Sequence, residues 1–176
     1  PDETHEICAN ADAVLFCAIG HPRFDNDPSA KVRPEQGLLG LRKALGLYAN
    51  IRPVKAYDKL VGLSPIKNER IQGADFVIFR ELTGGIYFGE NGRNDENTVA
   101  YDTMTYHDYE IERIAHAAFK VAMTRRKELC LIDKANVLES SRFWRETVDK
   151  VAKEYPEVEL TYLYVDNAVM QLILTP

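Results

Sequence analysis

Cysteine is scarce in this sequence, and the few that occur exclude a disulfide-based or zinc-based fold. The 176 residues contain three cysteines, Cys8, Cys17 and Cys130, at spacings that match no metal motif. The odd count favours reduced thiols in a cytoplasmic protein. Cys17 and Cys130 lie in apolar runs, so we expect both side chains to be buried as small hydrophobic groups.

Long apolar runs and clustered positive charge are also missing. No stretch approaches the roughly 20 apolar residues that span a bilayer, and we expect no signal peptide. A net charge of -5 and a pI near 5.4, without any lysine or arginine cluster, exclude a nucleic-acid-binding surface. The hydrophobic content of 45% is enough for a core in a soluble chain of one or two domains.

Apolar runs that end in polar residues recur along the chain and predict an α/β fold. The runs at 13–19, 76–79, 129–132 and 158–165 are typical of buried strands, and 50–54 starts another or forms an edge. Helical periodicity occupies 3–10, a segment that begins at Pro34, 111–123, 140–155 and 167–174. Thr105 and Asp108 are the candidate caps of the third helix. We therefore expect an open sheet with flanking helices, and a polar loop at 25–28.

The most informative stretch is RELTGGIYFG, which begins at Arg80. Arg80 and Glu81 follow an apolar run, so they should lie at the carboxyl end of a strand, where α/β sheets bind ligands. Gly84 and Gly85 permit a tight reversal. The alternative is a plain hairpin whose arginine is a solvated surface charge.

A hairpin arm is predicted directly after this reversal. Residues 86–88 are expected to start its first strand, 89–97 form a polar tip, and 98–106 return as its second strand. A two-stranded hairpin is only marginally stable alone, so this protruding arm indicates a subunit contact.

The helix that begins at Pro34 has a face that is apolar in its middle and charged at both ends. Glu35, Leu38, Leu39 and Arg42 follow the i, i+3, i+4, i+7 spacing. Leu41, Ala44 and Leu45 form a neighbouring stripe that could supply the core contact, which would leave Leu38 and Leu39 free to line a pocket. The alternative is that both leucines belong to the core.

Three arginines follow or approach predicted strand ends. Arg42, Arg52 and Arg80 would together bind a dianionic ligand, because the guanidinium fork matches a carboxylate in a bidentate way. Each arginine taken alone is more often a solvated charge. Charged residues also end the two later strands, where Asp133 and Lys134 follow one run and Asp166 follows the other.

These segments together resemble the isocitrate/isopropylmalate β-decarboxylating dehydrogenase family. The resemblance extends from about Ala11 to the last residue, and its motifs are E-x-x-L-L-x-x-R from Glu35, N-I-R-P from Asn50, RELTGGIYFG from Arg80, DKANVLESSRFWRE from Asp133 and YVDNA from Tyr164. It implies oxidative decarboxylation of 3-isopropylmalate to 2-oxoisocaproate with NAD and Mg²⁺ or Mn²⁺, a step of leucine biosynthesis. Related substrates such as isocitrate, homoisocitrate or tartrate are the alternative within the family.

The resemblance also implies a role for each site residue. Arg42, Arg52 and Arg80 would clamp the substrate carboxylates, while Tyr87 would protonate the enolate and Lys134 would assist loss of the hydroxyl proton. The remaining assignments place Asn136 near the nicotinamide, Asp166 on the metal, and the substrate contacts on Glu35, Leu38, Leu39 and Val137.

Finally, the resemblance implies a homodimer and an incomplete enzyme. Lys134 and Asp166 are expected to be lent across a two-fold interface. A family member is roughly twice this long, at about 100–200 residues per domain. The chain is therefore expected to be a central fragment truncated at both ends, with residues 1–47 a remnant of the cofactor-side lobe and 48–176 the second lobe. The alternative is that this chain is a dimerisation and substrate-lobe module without catalytic activity.

Overall fold

The computed structural model describes residues 2–25 and 34–174. The chain divides into two units, Pro1–Tyr48 and Ala49–Pro176, and the boundary lies one residue beyond the one expected from the sequence. The described strands all belong to the second unit, and helices occur in both units.

The first unit contains three helices, α1 (Asp2–Ala9), α2 (Pro22–Asp25) and α3 (Pro34–Ala44). The helices expected at 3–10 and from Pro34 are thereby confirmed. Leu41 on α3 is 8% exposed and provides the core contact expected of it. The loop expected at 25–28 lies outside the described residues from position 26 onward.

The buried strand expected at 13–19 is wrong. The structure assigns no strand to these residues, and Leu15 is 96% exposed. An apolar run becomes a strand only when a neighbouring strand takes up its backbone N–H and C=O groups. None of the described strands pairs with 13–19, so the run stays irregular.

The second unit begins with an antiparallel pair. Strand β1 (Ala49–Lys55) pairs with β2 (Asp75–Glu81), and helix α4 (Asn68–Ile71) lies in the connection between them. The register places Asn50 opposite Arg80. Both strands agree with the sequence prediction, and Arg80 lies one residue before the carboxyl end of β2.

The hairpin arm is confirmed, but its first strand was placed too early. The arm consists of β3 (Asn91–Arg93) and β4 (Ala100–Asp102), paired antiparallel. Residues 86–88 are not its first strand, because Gly85–Tyr87 form a 3-10 turn. Gly85 has a φ of +75°, and a Cβ there would overlap the Tyr106 ring. The chain therefore turns beneath Tyr106 instead of extending.

The rest of the unit is a helix followed by a βαβ segment. Helix α5 (Asp108–Met123) precedes strand β5 (Glu128–Asp133), helix α6 (Glu139–Ala152), strand β6 (Glu159–Tyr164) and helix α7 (Val165–Leu174). Strands β5 and β6 run parallel, with Asp133 opposite Tyr164. The parallel crossover through a helix is the arrangement predicted from the periodicity of these residues.

Helices α5 and α6 pack together over the β5–β6 pair and form the core. Phe119 is fully buried and stacks on Tyr155 with ring centroids 5.0 Å apart. The other buried members of this cluster are Ile111, Ala115, Ala122, Val148, Val151 and Val158. The core therefore holds together the elements on either side of β5.

The cap expected for α5 is wrong. The N-cap is His107, not Thr105 or Asp108. Glu110 accepts the backbone N–H of His107 at 2.8 Å, and Gly84 packs closely against its carboxylate. The contact between Gly84 and Glu110 is a tertiary one, so local sequence alone could not have located this helix start.

The expected burial of the cysteines is also wrong. Cys17 and Cys130 are exposed and Cys8 is half-buried, although all three are free thiols as expected. Cys17 belongs to the run without a paired strand, and Cys130 lies on a face of β5 that α5 and α6 leave uncovered. Apolar neighbours in sequence therefore did not guarantee a covering layer.

A cavity of about 870 Å³ separates the two larger strand pairs. Every residue of β2 and of β5 lines it, and side chains of α5 and α6, including Ile114 and Trp144, also contribute. Within residues 2–25 and 34–174 the strands form three two-stranded sheets, so the α/β class with flanking helices is confirmed while β2 and β5 remain unjoined. No helix of the described chain is long and apolar enough to cross a membrane.

The core assignment predicts that Phe119→Ala destabilises the protein. Removing a fully buried aromatic side chain leaves a cavity that neighbouring groups fill only in part, at a cost of about 3–5 kcal/mol. Urea unfolding followed by far-UV circular dichroism measures the change. The exposed neighbour Lys120 is the control, since Lys120→Ala should stay within about 0.5 kcal/mol of the original chain. Equal effects of the two substitutions would contradict the packing described above.

Candidate active site

Arg80 and Tyr87 form the first cluster of predicted site residues. The Arg80 guanidinium donates a hydrogen bond to the Tyr87 hydroxyl at 2.7 Å. The same guanidinium lies 5.1 Å from the centroid of the Tyr87 ring. Tyr87 is 52% exposed, so its hydroxyl can meet a ligand from solution. The cluster places a cation and a proton donor side by side.

Arg52 projects from the same face of the β1–β2 pair as Arg80. Asn50 is opposite Arg80, and Arg52 follows Asn50 by two residues, so the two arginines are diagonal neighbours. Arg52 donates through Nε to the Asn50 side-chain oxygen at 2.7 Å. Its terminal nitrogens are therefore directed along a sheet face that already holds Arg80.

Glu81 anchors the turn between Arg80 and Tyr87. Its carboxylate accepts the backbone N–H groups of Thr83 at 2.8 Å and Gly84 at 2.6 Å, together with the Thr83 hydroxyl at 2.8 Å. Arg113 of α5 donates to the same carboxylate at 2.6 Å and to the Thr83 hydroxyl. The Glu81 side chain is only 1% exposed, which makes this a buried ion pair.

Lys134 and Asp166 form the second cluster. Lys134 follows β5 and Asp166 lies in the first turn of α7, after β6, and the parallel strands bring these ends to one edge. The Lys134 ammonium donates to an Asp166 oxygen at 2.7 Å. This hydrogen bond, supported by a backbone N–H, holds the pKa of the Asp166 carboxyl below its usual value of 3.8.

A second buried carboxylate supports Lys134 from behind. Asp133 receives a bidentate pair of hydrogen bonds from Arg145, at 2.6 Å and 3.0 Å, and also accepts the Ala135 backbone N–H at 2.9 Å. The hydrogen bonds that Arg145 donates to Asp133 raise the pKa of the guanidinium. Ser141 accepts the Lys134 backbone N–H at 3.2 Å.

The remaining predicted residues of this unit lie in the turn after Lys134. Asn136 is exposed, and Val137 is 61% exposed. The backbone N–H groups of Val137 and Leu138 donate to the Lys134 carbonyl at 3.0 Å and 2.9 Å. The turn thus presents both side chains to solvent beside the Lys134 and Asp166 pair.

The residues predicted on α3 belong to the first unit. Leu38 and Arg42 line a cavity of about 460 Å³ together with Leu41 and the apolar segment around Phe16. Leu39 is half-buried and Glu35 is exposed. Leu38 thus lies at an apolar cavity that Arg42 also lines, whereas Leu39 and Glu35 are not among the residues that line it.

Asp166 is the predicted metal ligand, and it does not form a complete site here. No group of three or more histidine, cysteine or acidic side chains in the described residues could hold an ion. A Mg²⁺ site normally uses more than one carboxylate or substrate oxygen. The described residues therefore supply one suitable oxygen donor and leave the rest of a coordination shell to other groups.

Sequence reasoning missed the two carboxylate–arginine pairs behind the site. Arg113 and Arg145 occur on helices, where charges are usually solvated, and their partners lie 32 and 12 residues away. The only local signal for these pairs was an acidic residue at each strand end, Glu81 or Asp133. Such a side chain can accept the backbone N–H two residues ahead of it, as both do here.

The residues and fold define an α/β protein with two clusters of polar side chains, Arg80 with Tyr87 and Lys134 with Asp166. Comparison with known families identifies its class. The family model for isocitrate/isopropylmalate dehydrogenase matches residues 1–176, which also includes the ten residues before Ala11. The chain therefore belongs to the isocitrate/isopropylmalate dehydrogenase family.

Among curated relatives, the similarity is to 3-isopropylmalate dehydrogenases. The enzyme of Clostridium acetobutylicum is 61% identical over 179 residues, which cover all of this chain and 50% of the relative. The enzyme of Bacteroides fragilis is 57% identical over 176 residues, again all of this chain and 49% of the relative. The chain spans about half the length of the curated relatives it matches.

Solved structures give the same fold. A β-decarboxylating dehydrogenase from Thermococcus kodakarensis superposes with a TM-score of 0.68 at 32% identity, covering 98% of this chain and 46% of the other. An isocitrate dehydrogenase from Methylococcus capsulatus gives 0.69 at 31% identity, covering 77% and 40%. The strand and helix order described above is therefore that of this family.

The Lys134 contact predicts a pH effect at Asp166. In Lys134→Gln the Asp166 carboxylate loses its charged donor, so its pKa should rise toward 3.8. Because this pKa is depressed in the folded chain, the contribution of the pair to stability is present above about pH 4 and is lost as the pH falls further. Carboxyl-carbon NMR titration of labelled aspartate between about pH 2 and 6 measures the shift. The exposed Lys150→Gln is the control, and an unchanged Asp166 titration in Lys134→Gln would contradict the contact.

Proposed function

We propose that this chain supplies the substrate-binding and proton-transferring half of an NAD-dependent 3-isopropylmalate dehydrogenase. The observation that carries the proposal is the pair of clusters in the second unit, Arg80 with Tyr87 at the end of β2 and Lys134 with Asp166 after β5 and β6, on a chain 61% identical to half of such an enzyme. The first unit would be the remnant of the cofactor-side lobe, and the second would be the substrate lobe.

The arginines of the candidate site would bind the two carboxylates of 3-isopropylmalate. In the second unit, Arg52 and Arg80 on one sheet face would bind a carboxylate in a bidentate way, and Val137 would contact the alkyl group. In the first unit, Arg42 is proposed as a carboxylate ligand, and Leu38, Leu39 and Glu35 as further substrate contacts. Apolar surface next to charge suits a molecule that is half hydrocarbon and half dianion.

The oxidation step removes the hydroxyl proton and the hydrogen on C2 of the substrate, and a ketone forms at C2. Lys134 in its amine form would accept the hydroxyl proton, and bound NAD would supply the hydride acceptor. The contact with Asp166 holds the Lys134 nitrogen at the strand edge. Asn136, in the next turn, would lie near the nicotinamide ring.

The decarboxylation step breaks the bond between C3 and its carboxylate. The electron pair of that bond moves into the C2 carbonyl, carbon dioxide leaves, and an enolate remains. Tyr87 would then give its hydroxyl proton to C3, which yields 2-oxoisocaproate. The neighbouring Arg80 guanidinium stabilises the tyrosinate that this transfer leaves behind.

The cofactors proposed for this reaction are NAD and Mg²⁺ or Mn²⁺. A divalent cation bound by the substrate oxygens and carboxylates such as Asp166 would polarise the C2 carbonyl. Further ligands would complete that site, because no group of three or more histidine, cysteine or acidic side chains in the described residues could hold the ion.

A homodimer is the proposed assembly. Helix α7 exposes Val169, Met170 and Ile173, and the hairpin arm exposes Val99 and Tyr101. Contiguous exposed apolar side chains mark interaction surfaces. A two-fold contact through these elements would allow Lys134 and Asp166 to be lent to the partner's site.

The alternative is that the chain alone is a dimerisation and substrate-lobe module without activity. One metal donor and half the length of the relatives support this alternative. The test compares the chain alone with a chimera in which it replaces the matched half of the Clostridium acetobutylicum enzyme. Reduced nicotinamide is followed at 340 nm with 3-isopropylmalate, NAD and Mg²⁺, and isocitrate is run in parallel. Turnover of 3-isopropylmalate by the chimera supports the proposal, whereas a folded but inactive chimera contradicts it.

In that chimera, Tyr87→Phe should lower kcat by about 10²–10⁴-fold, since a positioned general acid contributes that much. The KM for 3-isopropylmalate should change little, because the arginines remain. Steady-state kinetics measure both constants. Tyr57→Phe, in the connection after β1, removes the same hydroxyl from another exposed tyrosine and should leave kcat within about twofold. A Tyr87→Phe enzyme with normal kcat would exclude Tyr87 as the proton donor.

The α3 pocket predicts a change in specificity. Replacing Leu38 with Ser and Leu39 with Asn removes apolar surface from the proposed substrate pocket, which should lower kcat/KM for 3-isopropylmalate by about 10–200-fold. The loss should be far larger for 3-isopropylmalate than for isocitrate. Ala44→Ser, on an exposed position of the same helix, is the control. Equal losses for both substrates would contradict the pocket assignment and indicate that the two leucines belong to the core.

A further inference from the structure

Strands β2 and β5 end in the same way, although they belong to different sheets. Each places a buried carboxylate next in sequence to a basic residue of the proposed site. Glu81 follows Arg80 and has a side chain that is 1% exposed, and Asp133 precedes Lys134 with a side chain that is 5% exposed. A repeated arrangement at two site-bearing strand ends requires an explanation beyond chance burial of a charge.

Each carboxylate makes the same two kinds of bond. It accepts the backbone N–H two residues ahead, from Thr83 at 2.8 Å in one case and from Ala135 at 2.9 Å in the other. It also binds an arginine on the helix that follows its strand, Arg113 of α5 or Arg145 of α6. Each pair thus fixes the strand end, the first turn after it and the next helix relative to one another.

Stability alone does not explain these pairs. Taking two charges out of water is costly, and well-packed apolar residues of similar volume stabilise a fold equally well or better. What these pairs provide instead is fixed geometry. The Arg145 fork binds both oxygens of Asp133, and one Arg113 nitrogen joins Glu81 to the Thr83 hydroxyl. The cost is acceptable where the position of a neighbouring group matters.

The second pair lies beside the ends of the two strands that precede the Lys134–Asp166 contact. Besides binding Asp133, the Arg145 guanidinium lies 4.9 Å from the Tyr162 ring centroid and 5.2 Å from that of Tyr164. Tyr164 ends β6, two residues before Asp166. Arg145 therefore contacts the ends of both strands that carry the contact.

We propose that the Glu81–Arg113 and Asp133–Arg145 pairs are two independent positioning clamps, one for Tyr87 and one for Lys134. Each arginine acts through its carboxylate on the turn that presents the neighbouring side chain, and neither touches the substrate. The positioning role in the reaction rests on the proposed function, whereas the effect on side-chain placement does not.

The test uses trace acetylation of the full 176-residue chain with acetic anhydride, mapped by mass spectrometry. The reagent modifies both lysine amines and tyrosine hydroxyls, so one experiment reports on both groups. In Arg145→Gln, Lys134 should leave Asp166 and react about two- to fivefold faster, as expected when a partly exposed ion pair is lost. Tyr87 should be unchanged in that variant. In Arg113→Gln, the reactivity of Tyr87 should change and that of Lys134 should not.

The milder variants Arg145→Lys and Arg113→Lys keep the positive charge but lose the planar guanidinium group. They are included because a charge-conserving substitution is less disruptive to folding than Arg→Gln. The double variant Asp133→Asn with Arg145→Gln should react like Arg145→Gln alone, because the arginine acts through that carboxylate. Lys150, exposed on α6, is the internal standard. Simultaneous changes at Lys134 and Tyr87 in either variant, or no change in both, would overturn the proposal of independent clamps.

Kinetics in the chimera separate this inference from the proposed function. Arg145→Lys should lower kcat by about tenfold, as expected when a supporting group of a reacting side chain is lost, with KM changed less than twofold. Selective acetylation changes with an inactive unsubstituted chimera would overturn the function and support the clamps. If the chimera is active, and the arginine substitutions change neither its kcat nor the acetylation rates, the clamp proposal is overturned and the proposed function is not.

Discussion

The parallel pairing of β5 with β6 is the constraint on which the Lys134 and Asp166 cluster depends. Parallel strands place their carboxyl ends at one edge, and the register aligns Asp133 with Tyr164. The residues that follow each strand then meet at 2.7 Å although they are 32 residues apart. A register slip of one residue would turn every side chain of β6 to the opposite face and separate the pair.

This pairing is maintained by the helix between the strands. Helix α6 packs Val148 and Val151 against Phe119 of α5, and both helices cover the same side of β5. The core therefore determines the register, and the register determines the site. Because the site residues themselves are half-buried or exposed, they contribute little to that core and are free to be chosen for chemistry.

Much of this could be predicted from the sequence, because helical periodicity and apolar runs report which face of an element is buried. The helices from Pro34 and at 111–123 and the strands β5 and β6 were found in this way. The strand expected at 13–19 failed for a different reason: a run can be apolar and still lack a partner among the described strands. The exposed Cys17 reflects the same absence of a covering layer.

The exposed residues of the candidate site were named from the sequence, whereas the arginines that bind the buried carboxylates behind it were not. Arg80, Lys134 and Asp166 were visible because charge directly follows an apolar run, which is a local signal. Arg113 and Arg145 gave no such signal, since an arginine on a helix looks solvated until its distant carboxylate is known. Residues that bind ligand must be exposed at a strand end, but residues that hold them still must be buried behind it, and burial of a charge depends on tertiary contacts that sequence spacing does not encode. The inner pairs are therefore where structure adds most to the sequence for this chain.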